Sequence, residues 1–342
     1  MSLTMTENSE CYEETVEFMA VEKVDDGDCV ISREPNTNVT LLRRGKKLED
    51  NNNLSKEDEE YINYRQLLKY EQAPYYLQHN PFIRDGYRKL LPTKLCWESI
   101  FWWTNETMNI WTHIFGFFLL LFLTINDLLI INVHATVTDK IVAGILFSCF
   151  LVCMALSSLY HTFSCRSECD YNTFLMYDLF GIALSLLAIY TSGIYYAFWC
   201  HAELKLFYMT SVTLIFVGAM LLQVPRFNVP YPVKMCVFIA WAAYGVLPTL
   251  HWTYTLGGFD NPMVQIFFPR VIGMYLISGT AFAIYAFKVP ERWFPGKVDY
   301  IGHSHQWWHV LVLAALYYWH NSAMIYVQYR MNHGCANTMR IF

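Results

Sequence analysis

Apolar residues gather in seven long runs separated by short polar segments, and each run has about the 20 residues that a helix needs to cross a bilayer. The runs are Met108 to Ile131, Ile141 to Phe163, Tyr177 to Trp199, Leu204 to Val224, Val233 to Trp252, Ile266 to Phe287 and Gln306 to Val327. At 1.5 Å rise per residue, about 20 helical residues span the roughly 30 Å hydrocarbon layer. The pattern predicts an all-α membrane protein, a seven-transmembrane helix bundle.

Composition agrees. Of 342 residues, 55% are hydrophobic, 17% aromatic and only 15% charged, with a mean hydropathy of +0.23. Soluble globular chains carry more charge than this.

The polar remainder is uneven. Residues 1–60 hold 16 Asp and Glu against 7 Lys and Arg and no apolar run, so they carry −9 on a remainder of +4. Such a segment buries too little surface to offset chain entropy, and it is expected to be a disordered tail rather than a signal peptide. Residues 61–104 mix aromatic and basic residues, as in Tyr64-Arg65 and Tyr87-Arg88-Lys89. That suits either a membrane surface, with rings at the headgroups and cations on anionic lipid, or a short helix packed on the ends of the bundle. The bundle is expected over 105–329 and a short tail over 330–342.

Seven spans put the termini on opposite sides, and Lys plus Arg near the span ends indicate which is which. Ten fall on the amino-terminal side (Arg84, Arg88, Lys89, Lys94, Arg166, Arg226, Lys234, Lys288, Arg292, Lys297) and five on the other (Lys140, Lys205, Arg270, Arg330, Arg340). The expected orientation is amino terminus cytoplasmic and carboxyl terminus lumenal or extracellular, inverted relative to a G-protein-coupled receptor. The sequons at Asn38, Asn53 and Asn105 then face the cytosol and stay unmodified. No basic patch of the kind that binds nucleic acid is expected.

In this topology most of the ten cysteines lie on the reducing side or within spans. Cys200 and Cys335 alone fall on the oxidising face, where a bridge between them is an open alternative. Cys165-x-x-x-Cys169 has metal-like spacing but reads more simply as two free thiols, and Cys96 is close enough to the first span for palmitoylation.

The candidate chemistry sits at one edge. His305 and His309 are four residues apart, so on a helix both imidazoles share a face. The second run ends near His161 and the third starts near Asp178, which brings all four groups to one membrane depth. Three histidines with a fourth position open are a catalytic-type arrangement for Zn2+, although imidazole suits other divalent ions. Asp178 is then cast as the group that accepts a proton from water rather than as a ligand. Ser157, one turn before His161, either orients the imidazole or bonds its own helix carbonyl. Glu106, Asn109 and His113 make a polar stripe on the first span, with His113 expected in a hydrogen-bond network, and Pro248 is expected to kink the fifth span.

At these residues the chain resembles the progestin and adipoQ receptor family, which includes the adiponectin receptors. Asn105-Glu106-Thr107-Met108-Asn109-Ile110-Trp111-Thr112-His113, the Ser157-x-x-x-His161 unit, Asp178, Val289-Pro290-Glu291-Arg292-Trp293-Phe294-Pro295-Gly296 and Ser304-His305-x-x-x-His309 occur in family order, across roughly Tyr70 to Tyr329. The resemblance implies zinc held by His161, His305 and His309. Within the family, Asn80-Pro81-Phe82-Ile83-Arg84-Asp85-Gly86 and Gly245-Val246-Leu247-Pro248-Thr249 are similar to a member that captures Raf-type kinases at the Golgi membrane.

Two functions follow from the resemblance. One is a receptor-like regulator that tethers a cytoplasmic kinase, with zinc fastening the bundle and Golgi membrane as its location, plasma membrane being the alternative. The other is a zinc-dependent lipid amide hydrolase of the ceramidase type, with membrane lipid such as ceramide or another sphingolipid as substrate and Asp178 as the catalytic acceptor of the proton.

Overall fold

The protein is described here from a computed structural model, which covers residues 29–33, 39–43, 46–48, 56–131, 135–224, 227 and 229–335. It separates into two units, residues 1–66 and 67–342.

In the first unit the backbone of Cys29–Arg33, Val39–Arg43 and Lys46–Leu48 pairs as a three-stranded antiparallel sheet, with Cys29 opposite Arg43 and Leu41 opposite Leu48. Part of the segment expected to be disordered thus has paired backbone. Its sequence contains the β-favouring runs Val30-Ile31 and Val39-Thr40-Leu41-Leu42. A helix follows at Lys56–Arg65.

The second unit is helical, and among its described residues seven helices are long and apolar enough to cross a membrane. They are the first span Thr107–Ile131, the second Val137–Phe163, the third Glu168–Ala197, the fourth Ala202–Leu221, the fifth in two pieces, Tyr231–Tyr244 and Val246–Thr255, the sixth Pro262–Phe287 and the seventh Ser304–Asn332. All seven predicted runs are helices. The largest difference is at the third span, which begins nine residues before Tyr177. Capping explains the extension: Ser167 Oγ accepts from the Asp170 amide, and Arg166 pairs with Asp170 at 2.5 Å, so a polar first turn is held in water.

Lipid contact is legible on the first span. Phe115, Phe118, Phe122, Ile125 and Leu129 are all exposed, at alternating spacings of three and four residues, which is one helix face. An apolar stripe of this length would promote association in water but is the expected solvent-facing side in a bilayer. On the inward side, a Cβ on Gly181 would meet the Cys153 Cα at 3.0 Å, so the second and third spans pack backbone to backbone there.

The expected kink in the fifth span is a break at Gly245, three residues before Pro248. Pro248 lies in the first turn of the second piece, where its missing N–H costs no hydrogen bond. The carbonyls freed at the break are satisfied by tyrosines: Tyr190 Oη donates to Trp241 O at 2.6 Å, and Tyr275 Oη donates to Ala242 O at 3.0 Å. Both hydroxyls occupy the space where a Gly245 Cβ would be, so only glycine admits them.

Between the first unit and the first span, residues 67–104 run partly inward. Leu77, Ile83, Tyr87, Leu91, Leu95, Ile100 and Trp102 are buried, whereas Tyr75, Trp97, Phe101 and Trp103 are exposed. Arg88, grouped above with membrane-surface cations, is 2% exposed. Its guanidinium donates to backbone oxygens, which a loop position in sequence does not reveal. Cys96 is fully buried, which leaves no access for an acyl chain. Cys200 and Cys335 form a disulfide with Cα atoms 5.4 Å apart. Cys165 is a buried free thiol, but Cys169 is disulfide-bonded, which corrects the reading of both as free. Of the sequons, Asn105 is buried, and Asn38 and Asn53 lie outside the described residues.

Candidate metal centre

The second span carries His161 at its last turn, and the seventh carries His305 and His309 in its first two turns. The bundle brings these three together. His305 Nε2 lies 3.3 Å from His161 Nε2 and 3.3 Å from His309 Nε2, and one nitrogen from each of the three rings falls within 4.8 Å of the others.

The outer contacts decide what those nitrogens can do. Glu106 Oε2 sits 2.7 Å from His161 Nδ1, so Nδ1–H donates to the carboxylate and the Nε2 lone pair points at the other two rings. Lone pairs of buried imidazoles repel unless something positive lies between them. Nitrogens about 2.0–2.1 Å from a tetrahedral zinc stand roughly 3.3–3.4 Å from one another, which matches both short separations. The residues present therefore fit a zinc ion.

Each ligand is held by a partner that the histidine pattern alone does not show. Glu106 also accepts from Asn109 Nδ2 at 2.7 Å, within the polar stripe of the first span. Burial alone would raise the Glu106 carboxyl, but His161, Arg88 and Asn109 hold it well below the usual carboxylate range. Arg88 donates to the carbonyls of His161 at 2.5 Å and Thr162 at 3.0 Å, capping the open end of the second span. At the start of the seventh span, the Ser304 amide donates to Glu291 Oε2 at 2.7 Å, and Gln306 Oε1 accepts from the Gly302 amide at 2.6 Å. Asn80 supports Glu291 in turn, at 3.0 Å.

Asp178 is buried, but its carboxylate is not among the oxygens and nitrogens that converge. The Ser157 side chain hydrogen-bonds the Asp178 carboxylate, a partner its place one turn before His161 does not indicate. His113 also departs from expectation. Its ring stacks on His309 with centroids 3.9 Å apart, and among the described residues neither of its ring nitrogens has a hydrogen-bond partner.

A second feature lies deeper. An apolar cavity of about 140 Å³ opens between the third, fifth, sixth and seventh spans, beside Gly245 and Pro248, with Trp252, Tyr275 and Trp319 in its wall. Trp319 is ten residues beyond His309, about 15 Å along the helix. The indole N–H of Trp252 is buried without a partner among the described residues.

Comparison with known proteins adds the context. The Haemolysin-III related family pattern matches residues 101–320. The chain is 42% identical over 277 residues to progestin and adipoQ receptor family member 3 of Mus musculus, and equally to that of Homo sapiens, covering 79% of this chain and 89% of each relative. It is 32% identical to the adiponectin receptor protein of Drosophila melanogaster, covering 78% and 60% of the two chains. It is 30% identical to heptahelical transmembrane protein 3 of Arabidopsis thaliana, covering 73% and 84%.

Proposed function

Because the chain belongs to the Haemolysin-III related family, among the progestin and adipoQ receptor proteins, we propose that it is a receptor-like membrane protein that holds one zinc ion and tethers a Raf-type kinase at the Golgi membrane. The observation that carries the metal is the convergence of three Nε2 atoms with the far nitrogen of His161 committed to Glu106. The kinase and the Golgi location rest on the resemblance, and the cytoplasmic amino terminus rests on the ten-to-five division of basic residues.

His161, His305 and His309 would hold the ion and so fasten the second span to the seventh. Bound there, zinc supplies a positive charge able to acidify water and polarise a carbonyl. Glu106 keeps His161 in the binding tautomer, Arg88 fixes the backbone behind it, and Glu291 sets the start of the helix that carries the other two. The tether would be the surface of residues 61–104, where Tyr75, Trp97, Phe101 and Trp103 stand exposed.

One observation favours the second reading, a zinc-dependent lipid amide hydrolase. Asp178 is a buried carboxylate beside the ligands yet outside their set, supported by Ser157, as a proton acceptor would be. An acyl chain entering from the metal centre would find the apolar cavity deeper in the bundle.

Two variants of the full chain, His305→Ala and Asp178→Ala, separate the readings when scored for protein level, zinc content, kinase recruitment and release of sphingoid base from ceramide. Loss of zinc and of recruitment in His305→Ala, with recruitment intact in Asp178→Ala and no base released by the unmodified protein, is the expected result. Base release that Asp178→Ala abolishes while zinc and fold persist would replace the tether reading with the hydrolase.

A further inference from the structure

Behind the metal centre lies a pair of cysteines that neither reading uses. Cys96, on the short helix Thr93–Glu98, and Cys165, two residues past the second span, place their sulfurs 4.0 Å apart. Both are buried free thiols. The segments that carry them are joined at the backbone, since the Leu91 amide donates to Cys165 O at 3.2 Å. The Cys96 thiol also faces Leu91 O at 3.4 Å.

The two sulfurs are not equivalent. Arg88 reaches the Ser164 hydroxyl at 3.4 Å, next to Cys165, and the Cys165 thiol faces Thr162 O at 3.9 Å as the Cys96 thiol faces Leu91 O. The contact with Cys96 brings the Cys165 thiol below its ordinary value against the opposing effect of burial, with the Arg88 charge assisting, and the same contact pushes Cys96 up. One thiolate-prone sulfur beside one protonated sulfur is the division of labour in reactive dithiols. A gap of about 10 Å³, lined by Arg88, Glu106, Ser164 and Cys165 among others, is of the size of one water molecule beside the pair.

We propose that Cys96 and Cys165 form a peroxide-oxidisable pair that closes to a reversible disulfide and restrains the end of the second span, one turn from His161. The Cys165 thiolate attacks one oxygen of hydrogen peroxide. The O–O bond breaks, hydroxide leaves, and the sulfur becomes a sulfenic acid. Cys96 then attacks that sulfur, the S–O bond breaks, and the departing hydroxide leaves as water with the Cys96 proton. Two thiols and one peroxide give one disulfide and two waters, with two electrons passing from sulfur to oxygen. A bonded pair stands about 2.05 Å apart, so the sulfurs approach by about 2 Å, drawing the 91–99 segment and the backbone behind Arg88 together.

The test uses the full chain in nanodiscs, reduced, exposed to hydrogen peroxide and mapped by mass spectrometry. The expected product is a Cys96–Cys165 linked peptide that dithiothreitol reverses, with slowed amide exchange over residues 158–166. In Cys96→Ser, where no second thiol can resolve the oxidised sulfur, dimedone should label Cys165 after peroxide, whereas in the unmodified chain it should not. If the serine variant does not fold, Cys165→Ser serves, with loss of the peroxide-dependent linked peptide as the expected result. Absence of the linked peptide, no dimedone label on Cys165 in Cys96→Ser, or a linked peptide with unchanged amide exchange would each overturn the proposal.

Discussion

The seventh span carries buried histidines at two depths, and their neighbours make them different groups. At its start, His305 and His309 face His161 nitrogen to nitrogen, with the nearest carboxylate engaged on the far side of the His161 ring. Eleven residues later, about 16 Å along the helix, His320 Nε2 meets Asp127 Oδ2 of the first span at 2.5 Å and stacks on Phe147 of the second. In the first place the carboxylate orients an imidazole toward something else; in the second it is the partner itself. Nearly three turns further on, Arg330 pairs with the fully buried Asp139, so carboxylates meet their partners directly at this end of the helix. A buried histidine therefore signals a ligand where its nitrogen converges with those of other histidines, since an unpartnered ring nitrogen alone is also found at His113 and His320.

The largest expected effect tests the first half of that contrast. His305→Ala removes the ring that stands between the other two, and zinc measured by elemental mass spectrometry should fall from about one per chain to near none, more than the roughly 10–100-fold affinity loss caused by outer-contact changes. Chelation should lower the melting temperature of the unmodified protein and leave that of His305→Ala unmoved. Zinc retained at full level in the variant would remove the histidine cluster from the metal.

Asp127→Ala tests the other half. It leaves His320 buried at 1% side-chain exposure with neither ring nitrogen paired, a loss of about 2–3 kcal/mol in thermal or denaturant unfolding, while zinc content stays unchanged. A fall in zinc would show that the two depths are one coupled site.

How much of this contrast the sequence discloses depends on which interactions are local. The spans and the His305/His309 pair follow from periodicity within one helix, and the family motif and the threading of spans bring in His161 and Asp178. Glu106 is visible as part of a polar stripe, but its partner is 55 residues away, and nothing in the spacing selects His161 over the solvent. Arg88 is less legible still. It reads as one more cation in a basic, aromatic stretch, and only the fold turns its guanidinium onto the carbonyls that end the second span. Asp127 and His320 could have been flagged as ionisable residues within apolar runs, which are costly unless paired. The break at Gly245 lies three residues from the proline that signals it, because the two tyrosines that satisfy the freed carbonyls come from the third and sixth spans.

Glu106→Gln separates orientation from ligation. The amide keeps the shape and an acceptor oxygen but loses the charge that favours Nδ1–H, so zinc affinity should fall roughly 10–100-fold, about 1.4–2.7 kcal/mol, with the fold intact. A variant that loses zinc as completely as His305→Ala would make Glu106 a ligand rather than an orienting group.

The smallest effect sharpens the comparison most. Asn109 stands outside the converging ligand set; it donates to Glu106 Oε2 at 2.7 Å, and its own Oδ1 is buried without a partner among the described residues. Asn109→Leu removes one charge-assisted hydrogen bond and one unsatisfied oxygen together, so the net cost to folding should be within about 1 kcal/mol of zero. Zinc affinity should nonetheless drop several-fold, because the carboxylate that fixes the His161 tautomer is left with fewer restraints. No counterpart is expected at the far end of the seventh span, where the carboxylate meets its histidine directly. If Asn109→Leu lowers stability and leaves zinc binding unchanged, the first-span stripe is packing for the bundle, and His161 owes its orientation to Arg88 and the backbone alone.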